Sequence, residues 1–264
     1  MFTFPRSCVA VAATAVLCAA SWAGASPQPY LELGVKGGLG LAKLGGDGVA
    51  ASGDFDIDLI EGYPELGNGL IDLGGDLKPG FAGGAYATVH LNDRFGIRLE
   101  ALYAMKGGQG DIDAQVDVYD QSFTYLGSYE LTGKNTMKLS YFEIPLLGVF
   151  SFPAGAAGTF DVFAGPEIAF ITSAKLKTEL TMSVGGESET GSGTVDMSNE
   201  VKGTDFGGVL GAGLSYRLDQ IVMFGEARWT YGFTNIPDTD EEVNVKNNSF
   251  GLMVGIGFPL GGSR

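Results

Sequence analysis

FGIRLEALYAMK, residues 95–106, puts every charge on one parity: Arg98, Glu100 and Lys106 alternate with Phe95, Ile97, Leu99, Ala101, Tyr103 and Met105. A period of two is that of a strand with two unlike faces, because a helix would scatter the same charges around its axis. In a soluble sheet the apolar face packs into a core and the charged face meets water. In a membrane barrel the assignment is reversed, with apolar side chains toward lipid and polar ones toward a lumen.

The N-terminus bears on that choice. Arg6 precedes CVAVAATAVLCAA and then SWAGAS, the order of a basic region, a short apolar region and a small-residue cleavage site of an export signal. Cleavage is expected after Ala25 of the Ala23-Gly24-Ala25 triplet, so that residues 1–25 are a signal peptide and 26–264 form one domain. Cys8 and Cys18 both lie in the expected leader, leaving the mature chain without a thiol or a disulfide.

With Arg6 removed, 15 basic residues face 31 acidic ones, a net charge of −16. Such a balance repels nucleic acid and offers no polybasic attachment to an anionic membrane surface. Glycine accounts for 43 of 264 residues and falls inside strand-like runs such as GVKGGLGLA and GGVLGAGLSY. In a small barrel such glycines relieve crowding in the lumen and at curved wall positions.

The same period picks out eight strands, over about 30–42, 80–91, 95–106, 137–150, 159–173, 204–218, 221–233 and 248–258. In the first, Leu31, Leu33, Val35, Leu39 and Leu41 oppose Glu32 and Lys36. In the fourth, Phe142, Ile144, Leu146 and Phe150 oppose Tyr141, Glu143 and Pro145. The seventh sets Met223, Trp229, Tyr231 and Phe233 against Glu226, Arg228 and Thr230. Connections alternate in length: Asn92-Asp93, SFPAGAAG and Asp219-Gln220 are short, whereas 43–79, 107–136, 174–203 and 234–247 are long and polar, acidic or glycine-rich. Short turns at one end and long loops at the other predict an all-β, eight-stranded antiparallel up-and-down transmembrane barrel with periplasmic turns and acidic extracellular loops. Phe81, Phe95, Tyr103, Phe150, Phe160, Tyr216, Tyr231, Phe233 and Phe258 lie near the ends of the apolar rows, as two interfacial girdles require.

On YFEIPLLGVF (141–150), VFAGPEIAF (162–170), DFGGVLGAGLSYRL (205–218), EARWTYGFTNI (226–236) and the closing SFGLMVGIGFPL, the chain resembles the PorT-like porin family of outer-membrane β-barrel proteins. It is similar in plan to OmpX and the OmpA transmembrane domain. The resemblance implies a location in the bacterial outer membrane, contact with its lipid and assembly by the barrel-insertion machinery. It implies little about activity. One departure stands at the C-terminus, where the aromatic read by that machinery in the wider class is followed here by six residues after Phe258.

An eight-stranded lumen is filled by side chains, so a wide channel is not expected. Counted from the short-turn rim, Arg98, Glu100, Glu143, Glu167, Glu226 and Arg228 all reach about mid-membrane and are expected to form a structural ion-pair network. A gate or proton path through the same carboxylates is the functional alternative. His90, the single histidine, stands two residues before the Asn92-Asp93 turn and reads as a polar residue at the water boundary, not as a catalyst. The acidic stretches GDFDIDLIEG (53–62), GDIDAQVDVYD (110–120) and PDTDEEVN (237–244) suggest cation binding. However, Asp54, Asp56 and Asp58 are followed by Leu59 where a calcium loop needs glycine, so no metal or cofactor is assigned. Alternation in DIDAQVDVYDQSFTYLGSYEL suggests an extended hairpin above the membrane.

The sequence thus points to a monomeric, non-enzymatic barrel with a structural or surface-interaction role and an unidentified extracellular partner. Two alternatives stay open: a soluble periplasmic barrel holding an apolar ligand, which needs the apolar faces inward, and a narrow passive channel.

Overall fold

Side-chain alternation gives each strand two faces, and closing a sheet on itself gives those faces separate surroundings. The computed structural model describes residues 29–47, 49–57, 65–72, 74–119, 122, 124–155, 157–238 and 244–260. In chain order the strands are β1 (Tyr30–Gly45), β2 (Ala50–Ile57), β3 (Glu65–Asp72), β4 (Lys78–His90), β5 (Phe95–Tyr119), β6 (Tyr125–Pro153), β7 (Gly158–Val184), β8 (Glu187–Asp196), β9 (Thr204–Leu218), β10 (Ile221–Gly232) and β11 (Lys246–Leu260). Eight of them form a ring of antiparallel pairs, β1-β4-β5-β6-β7-β9-β10-β11, which β11 closes by pairing with β1 from Leu31↔Leu260 to Gly45↔Lys246. The two-residue turn after β9 is made by Asp219, at φ 47, and Gln220. The expected leader, residues 1–25, lies outside the described residues.

The faces are assigned without ambiguity. Leu39 is 75% exposed, Val254 69% and Leu214 62%, whereas Arg98, Glu100, Glu226 and Arg228 are buried inside the ring. A soluble barrel with apolar faces inward would show the opposite. Exposed or half-exposed rings gather at two levels. Phe81 meets Tyr103 at 6.0 Å near the long-loop end, and Phe95 meets Phe150 at 4.6 Å near the short turns.

The strand lengths differ from expectation. Strands β5, β6 and β7 run 25, 29 and 27 residues, so the connections 107–136 and 174–203 are largely strand, the first of them carrying the extended hairpin expected over 111–131. The reason is an inversion of faces. Within the ring β5 points Ile97, Leu99 and Tyr103 outward. Higher up it points Asp111, Asp113 and Gln115 outward and buries Ile112, Ala114 and Val116. Strand β6 does the same, burying Tyr129 and Leu131 while exposing Glu130, Thr132 and Lys134. Lipid outside demands an apolar exterior, and water outside demands a polar one. The inversion therefore marks the height at which the membrane ends.

Above that height the long strands gain flanking partners. Strand β3 pairs with upper β5 (Glu65↔Val118 to Ile71↔Ile112), β2 pairs with β3, and β8 pairs with upper β7 through a turn in which Gly185 and Gly186 have φ 58 and 91. The product is an extracellular antiparallel sheet in the order β2-β3-β5-β6-β7-β8. In β7 the change of level coincides with a bulge, since Ser140 faces Ser173 but Tyr141 faces Ile171. The extra residue, Thr172, donates its hydroxyl to Ser140 O at 3.1 Å. One inserted residue switches which parity of β7 faces inward, from Glu167 and Ala169 below to Ala174 above. Of the acidic stretches, residues 58–62 and 239–243 lie outside the described residues, as does Asp58 of the interrupted calcium-loop pattern.

Candidate functional site

The lumen is built in layers from the short-turn rim upward. At the rim Tyr30 stacks on His90 with centroids 4.3 Å apart, and Arg217 Nη2 donates to Tyr30 Oη at 2.8 Å. His90 Nε2 lies 3.4 Å from Glu32 Oε2, and Glu32 Oε1 accepts a 2.8 Å hydrogen bond from Tyr86 Oη. Asp161 accepts from Ser151 Oγ at 2.6 Å and from Ser215 Oγ. The hydroxyl and guanidinium donors named here end on structural acceptors, whereas His90 Nε2 makes no hydrogen bond. No serine in this layer has a histidine as its hydrogen-bonding base, the arrangement nucleophilic catalysis needs.

The next layer is aromatic. The Arg98 guanidinium lies 5.2 Å from the Tyr86 ring centroid and 5.7 Å from those of Phe163 and Phe224, and its Nε donates to Thr88 Oγ1 at 3.1 Å. Three rings fit into so narrow a lumen because the residue paired with each on a neighbouring strand is a glycine: Gly34 beside Tyr86, Gly211 beside Phe163 and Gly255 beside Phe224. A Cβ on Gly211 would come within 2.3 Å of the Phe163 ring, and one on Gly255 within 2.3 Å of the Phe224 ring. The glycine-rich composition is therefore partly the negative image of these rings.

Above the rings lies the charge network. Arg98 Nη1 donates to Glu226 Oε2 at 3.1 Å, and Arg228 Nη1 to Glu100 Oε2 at 2.8 Å. Lys36 Nζ bridges Glu100 Oε1 and Glu226 Oε1, each at 2.6 Å. One level up, Lys106 Nζ lies 2.5 Å from Glu143 Oε1 and 3.6 Å from Glu167 Oε1. Arg228 Nη2 joins the two levels through Glu167 Oε2 at 3.8 Å, an ion pair too long to be a hydrogen bond. All six residues singled out in the sequence thus meet in the lumen, on β5, β6, β7 and β10. Two more meet them there, Lys36 from β1 and Lys106 from β5. The signal that identifies these two is neutrality. Within the paired network four glutamates and two arginines leave two negative charges, and the lysines on the same inward faces cancel them.

The lumen closes above the network. The Tyr141 ring centroid lies 5.5 Å from Lys106 Nζ, and Leu44, Leu139, Val201, Ile236 and Val245 form an apolar cluster with Tyr141. Val201, Ile236 and Val245 come from the connections flanking β9 to β11. These fold across the mouth through the Val201↔Pro237 bridge and the Ile236 N–H to Val245 O hydrogen bond of 2.9 Å. A cavity of about 40 Å3 beside Lys106, Glu143 and Arg228 has room for a few waters. Among the described residues, no three His, Cys, Asp or Glu side chains gather as a metal site. Outside the spanning region, the Lys177 ammonium hydrogen-bonded to Glu179 holds that carboxyl below its ordinary range.

A family model agrees with this architecture. The family model described as Outer membrane protein beta-barrel domain matches residues 24–238. No curated protein matches the chain. Among solved structures, Neisserial surface protein A is 13% identical, with 86% of this chain and 96% of that chain covered and a TM-score of 0.39. OprG from Pseudomonas aeruginosa is 14% identical, with 89% and 98% covered and a TM-score of 0.36. The N-terminal β-barrel domain of Pseudomonas aeruginosa OprF is 12% identical, with 89% and 99% covered and a TM-score of 0.33. With the family model spanning most of its length, and with lipid-facing strands closed around a charged lumen, the chain belongs to the outer-membrane protein β-barrel domain family of the bacterial outer membrane.

Proposed function

We propose that this protein is a structural, surface-presenting barrel of the PorT-like branch of its family, neither an enzyme nor a solute channel. The observation that carries the reading is the lumen. Four cations and four carboxylates pair at mid-height, with rings below them and an apolar cluster above. A network of this kind holds strands together through the middle of the barrel and leaves the extracellular sheet as the surface that contacts a partner. Export with cleavage near Ala25, a mature barrel over 26–264, delivery by the barrel-insertion machinery and a monomeric state complete the reading.

Planar-bilayer recording of the refolded full chain tests it. Wild type and Arg98→Ala are both expected to be electrically silent. Discrete conductance steps from wild type would overturn the closed-barrel reading in favour of a channel. A step appearing only in Arg98→Ala would make the network a gate.

A further inference from the structure

The extracellular half of the chain is acidic, yet four of its lysines lie together on two neighbouring strands. Strand β6 carries Lys134 and Lys138, and β7 carries Lys175 and Lys177, on the face that points outward just above the inversion. Lys43 on β1 and Lys246 on β11 occupy the same level across the barrel, where Lys43 faces Asn248 and Lys246 faces Gly45. Lys138 stands four residues above the lipid-facing Phe142, and Lys175 five above the lipid-facing Phe170. At about 3.3 Å per residue and a tilt near 40°, four residues are roughly 10 Å of height, the depth of a headgroup layer.

Lys138 and Lys175 sit directly opposite each other in the β6–β7 ladder. Like charges in that position destabilise a sheet unless something of opposite sign lies between them. Among the described residues neither lysine has a carboxylate within ion-pair distance; Glu179, hydrogen-bonded to Lys177 at 2.6 Å and paired with Lys134 in the ladder, and Asp196 act on them only from farther away. Asp196, opposite Lys175 on β8, accepts the Ser198 N–H at 2.9 Å. On its other side Lys138 faces Gly107, which leaves that flank open.

We propose that Lys138 and Lys175, flanked by Lys134 and Lys177, form a binding site for the phosphate groups of outer-leaflet glycolipid. Two ammonium groups beside each other match a phosphate better than a carboxylate, because its several acceptor oxygens can bridge both. The occupant is lipid and not free anion. The chain's net charge of −15 repels a dissolved anion, while an acyl anchor holds a headgroup at the height of the lysines. This inference deepens the membrane reading and rests on it.

The test is native mass spectrometry of the detergent-solubilised full chain with diphosphoryl lipid A, with chemically dephosphorylated lipid A and with inorganic phosphate as competitor. Wild type is expected to retain the diphosphoryl lipid. Lys138→Gln/Lys175→Gln is expected to retain about tenfold less, the loss suited to two exposed charge contacts. Lys138→Arg/Lys175→Arg is expected to bind as wild type does. Equal retention of the two lipids by wild type, or no loss in the glutamine variant, would refute the site. Full displacement by inorganic phosphate at equal concentration would refute the lipid as its ligand. Heat-modifiable migration of each variant reports separately on whether the barrel has folded, so a failure of the membrane reading is distinguishable from a failure of the site.

Discussion

Lys36 and Glu226 meet at 2.6 Å across the barrel interior although 190 residues separate them in sequence. Their strands, β1 and β10, are not neighbours, because β11 lies between them. The contact therefore ties the wall across its lumen, beyond what the backbone ladder does. Both side chains are buried, and removing Lys36 leaves Glu100 and Glu226 with only Arg228 and Arg98 against them, one cation short of a balanced network. Lys36→Met is expected to destabilise the folded barrel by about 3–5 kcal/mol, the cost of breaking a buried pair. Adding Glu226→Gln to it is expected to cost less than the sum of the two single changes, since the second change restores the charge balance of the network that the first upset. Urea unfolding in lipid vesicles measures both; strict additivity would show that the two residues do not interact.

Gly255 and Gly191 provide a matched contrast. A Cβ at Gly255 would collide with the Phe224 ring in the lumen, whereas nothing lies within 4 Å of one at Gly191 on β8. Gly255→Ala is expected to cost about 1–3 kcal/mol as overpacking. Gly191→Ala is expected to be neutral or stabilising by up to about 1 kcal/mol, through the unfolded chain's lost freedom. Phe224→Leu should recover part of the Gly255→Ala loss in the same unfolding measurement. Equal effects at the two glycines would remove the steric account of the lumen.

The contrast also shows how much was legible beforehand. The eight lipid-crossing segments could be read because hydrocarbon imposes one rule on a whole face, as in Ile97, Leu99 and Tyr103 against Arg98 and Glu100. The alternation over 111–131 already pointed to a hairpin above the membrane, but residues 132–136 of β6 and the upper half of β7 were hidden because that rule reverses in water. Lys134 looks like a loop residue to anyone expecting an apolar exterior, and the Thr172 bulge breaks the parity of β7 at the height where the rule reverses. Arg98, Glu100, Glu143, Glu167, Glu226 and Arg228 were recoverable from height alone. Lys36 and Lys106 needed the further condition that the charges of the paired network balance. The fit of Phe163 against Gly211 depends on cross-strand register, which a single sequence does not fix.

Val116 is fully buried on the inner face of the extracellular sheet, clustered with Ala114, Tyr129 and Leu131. If the faces invert above the membrane, Val116→Asp places an unpaired charge in that cluster and should open the upper hairpin, leaving the barrel below intact. Proteinase K added to intact cells is expected to cut the variant within 107–136 much faster than wild type, with heat-modifiable migration unchanged. An Asp113→Asn change on the opposite face of the same strand should leave the cutting rate as it was. Protection of the Val116→Asp hairpin at the wild-type level would mean that the upper strands do not bury this face.

Trp229 tests the location of the lipid directly, being the single tryptophan beyond residue 25. It points outward, 45% exposed, between Tyr231 at 5.9 Å and its cross-strand neighbour Phe250, and its indole N–H donates to Asn248 Oδ1. An indole at the upper girdle has its ring against acyl chains and its polar edge toward the headgroups. Its emission is therefore expected to be quenched strongly by phospholipid brominated near the carbonyl end of the acyl chain, less by phospholipid brominated near the terminal methyl, and weakly by aqueous iodide. The order follows from depth alone, so it requires no assumption about what the protein binds. Iodide quenching equal to that of the urea-unfolded chain would place Trp229 in water and would remove lipid as the solvent of the apolar face.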